Sequence, residues 1–548
     1  MLKLTMRDPD SRNEFILADL IEIRAEQMPE REVLTFEHLS LDGGKTPDEV
    51  RTYRQLDTHA QRLAAHLMQR GLRKGDRFVI LLKNHPEFVE AMIAASICGA
   101  VFVPVDPRAK ADKLAFMVND SGSRGIITAD YALAEVRVAL PKMPGVAWIL
   151  ALATHEPGVP PLQAYPEADA LAPVLTTDVP RVEPIEVSLD DPLQILYTSG
   201  TTGHPKGIIG KNRRFGGTGL MGSLFGYAED ERPYTGLSLT HSNAQATALC
   251  PALFMGYRAV FSRSFTKSKL WAVCRHYGCT SFSVLGGMAT AIYSEPPRAD
   301  DAKNPVRRVI SGGMPASIWP AFEQRFGVQI FEIYGASDGG GMAFRRPGEG
   351  PVGSFGKPMP GFVIAILDEA GHTCAPGVVG EICCRAEADS PLFVEVDYHG
   401  NLSAAQHKVR DGWNHSGDMG HADADGWLYF DYRKGGGIRH NGDFIHPGEV
   451  EKVIAEDPQV DDVFVFGVPA ASGAPGERDV VAAIVPVDRV RFDATALRQR
   501  CRAGLEANFV PGWFLLLDEI PKTASEKPLE RVLIEEFERN PAAFMAMS

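Results

Sequence analysis

The chain has 548 residues, 45% of them hydrophobic and 23% charged, an ordinary globular composition that suits roughly three to five domains or subdomains. Lys and Arg number 56 against 70 Asp and Glu, a formal charge of −14. That balance excludes a general polyanion binder, because nucleic-acid affinity rests on clustered positive charge, but it leaves room for a local basic pocket that holds a phosphate.

A chain this long needs no disulfide or structural metal to stabilise its core. Its eight cysteines are scattered, with only Cys274 and Cys279, and the adjacent Cys383 and Cys384, close together. There is no C-x-x-C pair and no Cys/His quartet with zinc spacing, so reduced, mostly buried thiols are expected. Residues 1–15 contain no apolar core of signal-peptide length. No run approaches the ~18 apolar residues that span a bilayer. A cytoplasmic protein with no integral membrane segment is expected.

The first third alternates helix and strand patterns. Leu56, Ala60, Leu63 and Leu67 fall on one helical face, and Gly71 suits the helix's C-terminal end. Residues 78–82 read as a buried strand, 87–98 as a second helix ended by Gly99, and 101–105 as another strand stopped by Asp106-Pro107. This order predicts right-handed βαβ units on a parallel sheet. Eight prolines fall between 151 and 192, which predicts a surface connection. Apolar runs then resume to about residue 430, each followed by a Gly-rich turn, as at 197–207, 311–315 and 334–341. After the glycines at 435–437, strands are expected at 463–466, 480–487 and 513–517. Helices are expected at 494–506, capped by Asp493, and at 529–538.

The strongest local signal is Tyr197-Thr198-Ser199-Gly200-Thr201-Thr202-Gly203-His204-Pro205-Lys206-Gly207, which follows the strand-like run 193–196. Small hydroxyl residues and glycines let backbone N–H groups and hydroxyls close around a phosphate, and Lys206 adds a cation. The Walker A pattern G-x-x-x-x-G-K-[ST] is absent, so a P-loop fold is not implied.

YTSGTTGHPKG resembles the phosphate-binding signature of the adenylate-forming superfamily, which includes acyl-CoA synthetases, luciferases and amino-acid adenylation domains. Further segments resemble that family in the family's order: TYRQLDTHAQRLAAHLMQRGLRKGDRF from Thr52, FEIYGASD from Phe331, HSGD from His415, FDYRKGGGIRHNG from Phe430, and PKTASEK from Pro521. The resemblance implies an α/β fold with a large N-terminal part of α/β subdomains (1–432), a hinge at 433–437 with Gly435 at its centre, and a small mobile α+β C-terminal domain (438–548). It also implies an ATP-dependent acyl-CoA ligase. The carboxylic acid attacks the α-phosphate of ATP to give acyl-AMP and pyrophosphate, and coenzyme A then takes the acyl group. ATP, Mg²⁺ and coenzyme A are the expected cofactors and co-substrates. A carboxylic acid is the expected small-molecule partner, no nucleic acid is expected, and a homodimer stays open.

The resemblance carries roles to individual residues. Thr198, Ser199, Gly200, Thr201, Thr202, Gly203 and Lys206 would hold the β- and γ-phosphates. Gly312, Glu332, Tyr334 and Gly335 would line the AMP site, with Tyr334 stacked on adenine. Ser337 would contact the α-phosphate, and Asp338, together with Thr198, would hold Mg²⁺. Asp418 would accept hydrogen bonds from the ribose hydroxyls, and Arg433 would reach the same region. Lys527 would be the adenylation lysine, a mobile point charge facing the α-phosphate and the acyl carboxylate. Arg439 and Gly442 would meet coenzyme A. His241, Asn243, Gly287, Ala336 and Gly339 would line the acyl pocket.

Three departures from the family pattern stand out. Ser337-Asp338 replaces Thr-Glu, retracting the carboxylate by one methylene. Gly435 stands where Asp or Lys is common at the hinge. Glu526 precedes the C-terminal lysine where Gly is more usual. Glu-Lys at that point, and LSLTHSNAQ from Leu237, resemble ligases of the crotonobetaine/carnitine-CoA type. Residues 240–244 offer no carboxylate to pair with an amino group, which disfavours amino-acid substrates. Gly286, Gly287, Gly312, Gly313, Ala336, Gly339 and Gly340 either leave volume for a bulky acid or serve turns and close packing. Two alternatives to the ligase remain: a non-catalytic nucleotide or acyl-adenylate binder, and an adenylating enzyme that uses another acceptor thiol.

Overall fold

The computed structural model describes residues 11–546 except 199–204, 337, 338, 340, 388–396, 402–404, 407, 435, 436, 441, 442, 446, 471–477, 524 and 525. The chain forms two compact units. One comprises residues 1–283, 304–310 and 395–407, and the other comprises 284–303, 311–394 and 408–548.

In the first unit, helix Tyr53–Gln69 begins with a reciprocal capping box between Thr52 and Gln55, which satisfies two of the N–H groups that a helix start leaves unpaired. Leu56, Ala60, Leu63 and Leu67 are all buried, as their spacing requires. The helix stops where Gly71 takes a left-handed φ of 86° and the Leu72 N–H bonds back to the Leu67 carbonyl at 3.0 Å. Strand Arg77–Leu81, helix Pro86–Ile97 and strand Val101–Pro104 follow as expected, with the two strands paired in parallel. The sheet order is Asp169–Ala170, Trp148–Leu152, Gly125–Ala129, Arg77–Leu81, Val101–Pro104, Pro192–Thr198 and Lys206–Lys211. Its last two strands form an antiparallel hairpin.

The stretch 151–192 is more ordered than its prolines suggest. It supplies the edge strand Asp169–Ala170 and helix Leu171–Thr176, whose Leu171 and Leu175 are buried. Pro173 lies in that helix's first turn, where a missing N–H costs nothing. A second sheet in this unit pairs Glu32–Phe36 and Pro233–Thr235 in parallel on either side of Ala259–Phe261.

In the second unit, strands Phe362–Leu367, Gly380–Ala386, Trp413–Ala422 and Leu428–Arg433 pair antiparallel in that order. Their core holds Ala343, Phe355, Ile366, Ile382 and Leu428, with Tyr334 packed against it. The C-terminal α+β part has a four-stranded sheet of Val460–Pro469, Arg478–Pro486, Trp513–Leu516 and Phe544–Ala546. Asp493 caps helix Ala494–Gly504 through the N–H groups of Thr495 and Ala496, as its sequence position predicts. Helix Glu530–Arg539 follows. One strand, Phe544–Ala546, had no expectation from the sequence; three residues are too few for a readable period. Among the described residues, no helix is long and apolar enough to cross a membrane.

Candidate nucleotide site

Asp418 stands directly opposite Arg433 on the neighbouring strand, so the antiparallel ladder itself presents the two side chains to each other. The Arg433 Nε lies 3.4 Å from the Asp418 Oδ1. On the other side, the Tyr334 hydroxyl donates to Asp418 Oδ2 at 2.9 Å. One ring face of Tyr334 is covered by Phe355, with centroids 4.4 Å apart and planes within 23°. Burial and the Asp418 charge push the Tyr334 phenol far above its ordinary range, so it stays a donor.

The motif around Asp418 builds its own turn. The Asp418 N–H donates to Ser416 Oγ at 2.9 Å, and that hydroxyl donates to the Ile382 carbonyl at 2.6 Å. Gly417 has φ of 78°, a conformation that glycine adopts without a Cβ penalty. Its N–H donates to Glu381 Oε1 at 3.1 Å, and its carbonyl accepts from the Lys434 N–H at 2.8 Å.

Glu332 differs from its expected role. It is buried, and its carboxyl accepts the backbone N–H groups of Gly313 and Met314. Burial raises its pKa to about 8, against the pull of those N–H donors. Its side chain therefore shapes the turn at 313–314, where Gly313 has φ of 94°, and is not turned outward to a ligand.

Lys527 lies on a small loop. Its carbonyl accepts the Thr523 N–H at 2.7 Å, and its own N–H donates to Thr523 Oγ1 at 3.2 Å. The side chain keeps contact with solvent. Crowding by surrounding protein pushes its ammonium below the ordinary lysine value, with Arg433 adding to the fall and Asp418 opposing it. The second unit thus brings Tyr334, Asp418, Arg433 and Lys527 into one electrostatic neighbourhood. Glu526, the residue that departs from the glycine pattern, has φ of 58°. The position calls for a left-handed residue, and here glutamate fills it.

Lys206 belongs to the first unit and opens strand Lys206–Lys211, in register with Thr198. Its ammonium lies 5.5 Å from the centre of the Tyr398 ring. Tyr398 bridges to Ile208, and the His399 N–H donates to the Gly207 carbonyl at 2.8 Å. At the hairpin's other strand, the Tyr197 hydroxyl donates to Asp120. Ser199, Gly200, Thr201, Thr202, Gly203, Ser337, Asp338, Gly435 and Gly442 lie outside the described residues, as do the side chains of Thr198 and Arg439. Tyr398, Phe355 and Glu381 had no motif to mark them; each reaches its partner across strands distant in sequence.

The AMP-binding enzyme family matches residues 21–388, and the AMP-binding enzyme C-terminal domain matches residues 449–527. The chain belongs to this family. The sulfoacetate–CoA ligase of Cupriavidus necator is 29% identical over 520 residues, covering 93% of this chain and 96% of its own. The crotonobetaine/carnitine–CoA ligase of Proteus mirabilis is 28% identical over 490 residues, covering 88% of this chain and 92% of its own. That likeness agrees with the branch suggested by Glu526-Lys527 and LSLTHSNAQ. Among solved structures, an anthranilate CoA ligase in complex with anthranoyl-AMP superimposes with a TM-score of 0.79 at 21% identity, covering 98% of this chain and 100% of its own. The shared fold therefore runs through the whole chain.

In this AMP-binding enzyme, His241 caps the short helix Ser242–Ala244, its Nδ1 accepting the Asn243 N–H at 3.2 Å. The helix continues as a π-helical turn over Gln245–Leu249 and then as Cys250–Met255. Pro251 has no N–H to give, and the Thr247 carbonyl takes the Tyr227 hydroxyl at 2.8 Å instead. Such π turns recur at functional sites. The small residues of the second unit divide by role. A Cβ on Gly286 would meet the Gly313 carbonyl at 2.6 Å, and Gly339 has φ of 90°, so these serve packing and a turn. A Cβ on Gly312 would make only ordinary contact with Leu285, and one on Gly287 would meet nothing within 4 Å. Ala336 is exposed.

Proposed function

We propose that this AMP-binding enzyme is an ATP-dependent acyl-CoA ligase that makes acyl-AMP from a carboxylic acid and then transfers the acyl group to coenzyme A. The observation that carries the reading is the Asp418 carboxylate held between the Tyr334 hydroxyl and Arg433, with Lys527 in electrostatic reach. An acceptor-only carboxylate suits two ribose hydroxyls, and a cation beside it suits the charge that builds on the α-phosphate during transfer. The ring face of Tyr334 opposite Phe355 would stack on adenine. Thr198 through Lys206 hold the outer phosphates. Asp338 and Thr198 would hold the Mg²⁺ that neutralises the phosphate charge of ATP, since Mg²⁺ takes few carboxylates plus substrate phosphate oxygens.

Residues 433–437 act as the hinge between a 1–432 domain and a 438–548 domain. Lys527 leaves the nucleotide when the second half-reaction presents Arg439 and Gly442 to coenzyme A. His241, Asn243, Gly287, Ala336 and Gly339 face the acyl group, and the enzyme works in the cytosol. The absence of a carboxylate from 240–244 argues for an acid without an α-amino group.

The test is AMP release with ATP and Mg²⁺ over a panel of aliphatic, sulfonated, betaine and aromatic acids, with and without coenzyme A. Acid-dependent release that requires coenzyme A is expected. Release that requires a carrier-protein thiol instead would identify another acceptor, and ATP binding with no turnover on any acid would favour the non-catalytic binder.

A further inference from the structure

Strand Gly380–Ala386 carries Glu381 and Cys383 on one face, since alternate residues of a strand share a face. His415, on strand Trp413–Ala422, stands opposite Cys383. Its Nδ1 lies 3.3 Å from Cys383 Sγ and 3.1 Å from Glu381 Oε2, and the three atoms all lie within 4.8 Å of one another. A tetrahedral zinc bonded to such donors at about 2.0–2.3 Å holds neighbouring ligand atoms about 3.3–3.6 Å apart. The two spacings that His415 makes, 3.1 and 3.3 Å, are close to the edges of that tetrahedron.

The cluster already attracts cations. Arg410 Nη2 lies 2.9 Å from His415 Nδ1, and Glu381 Oε2 lies 3.1 Å from the same atom. A neutral Nδ1 accepts from the guanidinium and presents its lone pair to the cluster, whereas a protonated Nδ1 donates to the carboxylate. Arg410 and Lys434 each lie 3.6 Å from Glu381 Oε2. Their side chains are 47% and 58% exposed, while those of Glu381 and His415 are 11% and 12% exposed and Cys383 is buried. The three donor groups are thus held in place, and the two cations beside them can swing into water.

We propose that Glu381, Cys383 and His415 form a site for a thiophilic divalent cation such as zinc, with solvent completing its coordination. Binding displaces Arg410 and Lys434 from Glu381 and releases the Cys383 thiol proton to solvent, so affinity rises with pH. Its donor set differs from that expected for the nucleotide's magnesium, which takes oxygen donors, whereas a sulfur ligand selects a softer ion. It escapes a search for zinc spacing in the sequence because its ligands come from two strands.

The experiment titrates metal-free full-length protein with Co²⁺, a spectroscopic stand-in for zinc. The expected result is one equivalent bound with a thiolate-to-cobalt charge-transfer band, bleached by one equivalent of Zn²⁺ and untouched by excess Mg²⁺. Cys383→Ser and His415→Gln each abolish the band, and Cys384→Ser, on the strand's opposite face, keeps it. The other cluster of possible ligands among the described residues, Glu49, His85 and Glu87, has no sulfur and cannot produce this band. Absence of a thiolate band in the native protein, or its survival in Cys383→Ser, overturns the proposal. If Cys383→Ser does not fold, survival of the band in His415→Gln does the same.

Discussion

The Asp418 carboxylate faces Arg433 across one antiparallel strand pair, 3.4 Å from Oδ1 to Nε, while its other oxygen accepts the Tyr334 hydroxyl. Both partners orient the carboxylate before any ligand arrives, so a ribose bound there would meet a fixed acceptor, with little ordering left to be done on binding. Removing the hydroxyl alone deletes one hydrogen bond to a charged group, a loss of about 1.5–3 kcal/mol. Tyr334→Phe should raise the KM for ATP roughly tenfold or more in an ATP–pyrophosphate exchange assay. Asp418→Ala should do more, because it removes the proposed ribose acceptor and the carboxylate that faces Arg433. An unchanged KM in Asp418→Ala with native circular dichroism would remove this carboxylate from the nucleotide site.

Lys527 should separate the two half-reactions. Lys527→Ala is expected to abolish acyl-AMP formation and to spare thioester formation from supplied acyl-AMP; equal loss of both would contradict the hinge motion. The pH profile carries a sign. Crowding by surrounding protein and the Arg433 charge lower the Lys527 pKa, and in the proposed role the ammonium is the working form. The alkaline fall in adenylation rate should therefore come at a pH below the ordinary lysine value of about 10.4. Arg433→Met removes the neighbouring cation and should move that limb upward, even as it weakens ATP binding. A limb that stays put in Arg433→Met would uncouple the two residues.

Much of this site is readable from the chain, since Tyr334, Asp418, Arg433 and Lys527 each sit inside a short ordered motif. What encloses them is not. Phe355 reaches Tyr334 from a separate segment, and Glu381 reaches Gly417 from a neighbouring strand. Such contacts depend on strand register, which a one-residue slip would change. The π turn at 245–249 is equally silent, because a single proline at 251 does not tell a continued helix from a widened one. The helix at 171–176 was hidden by prolines that flank it or fall in its first turn. Among the small residues at 286–287 and 312–313, only backbone geometry separates a packing glycine from one facing open space.

Glu526 is a departure that the structure explains. A left-handed φ of 58° costs a residue with a Cβ about 1–2 kcal/mol relative to glycine. Glu526→Gly removes that cost in the fold, and it also frees the unfolded chain, which offsets part of the gain. A net gain of about 1 kcal/mol is expected, seen as a higher midpoint for the unfolding transition that includes the C-terminal domain. A lower midpoint would mean that the glutamate's own interactions outweigh its backbone strain.

Glu332 carries the last prediction, with its sign set by burial. Its pKa in the fold is raised to about 8, chiefly by loss of water, against about 4.3 in an unfolded chain. Between those values the folded state holds a proton that the unfolded state has released. The stabilising contribution is therefore full below the unfolded value and declines as pH rises through this window, levelling off above the folded value. Glutamine imitates the protonated acid and keeps an oxygen for the Gly313 and Met314 N–H groups. Glu332→Gln should thus flatten the loss of thermal stability between about pH 5 and 8 relative to the native protein. The check is the unfolding midpoint of both proteins across that range. Parallel curves would show that the Glu332 carboxyl titrates in the fold as it does in water.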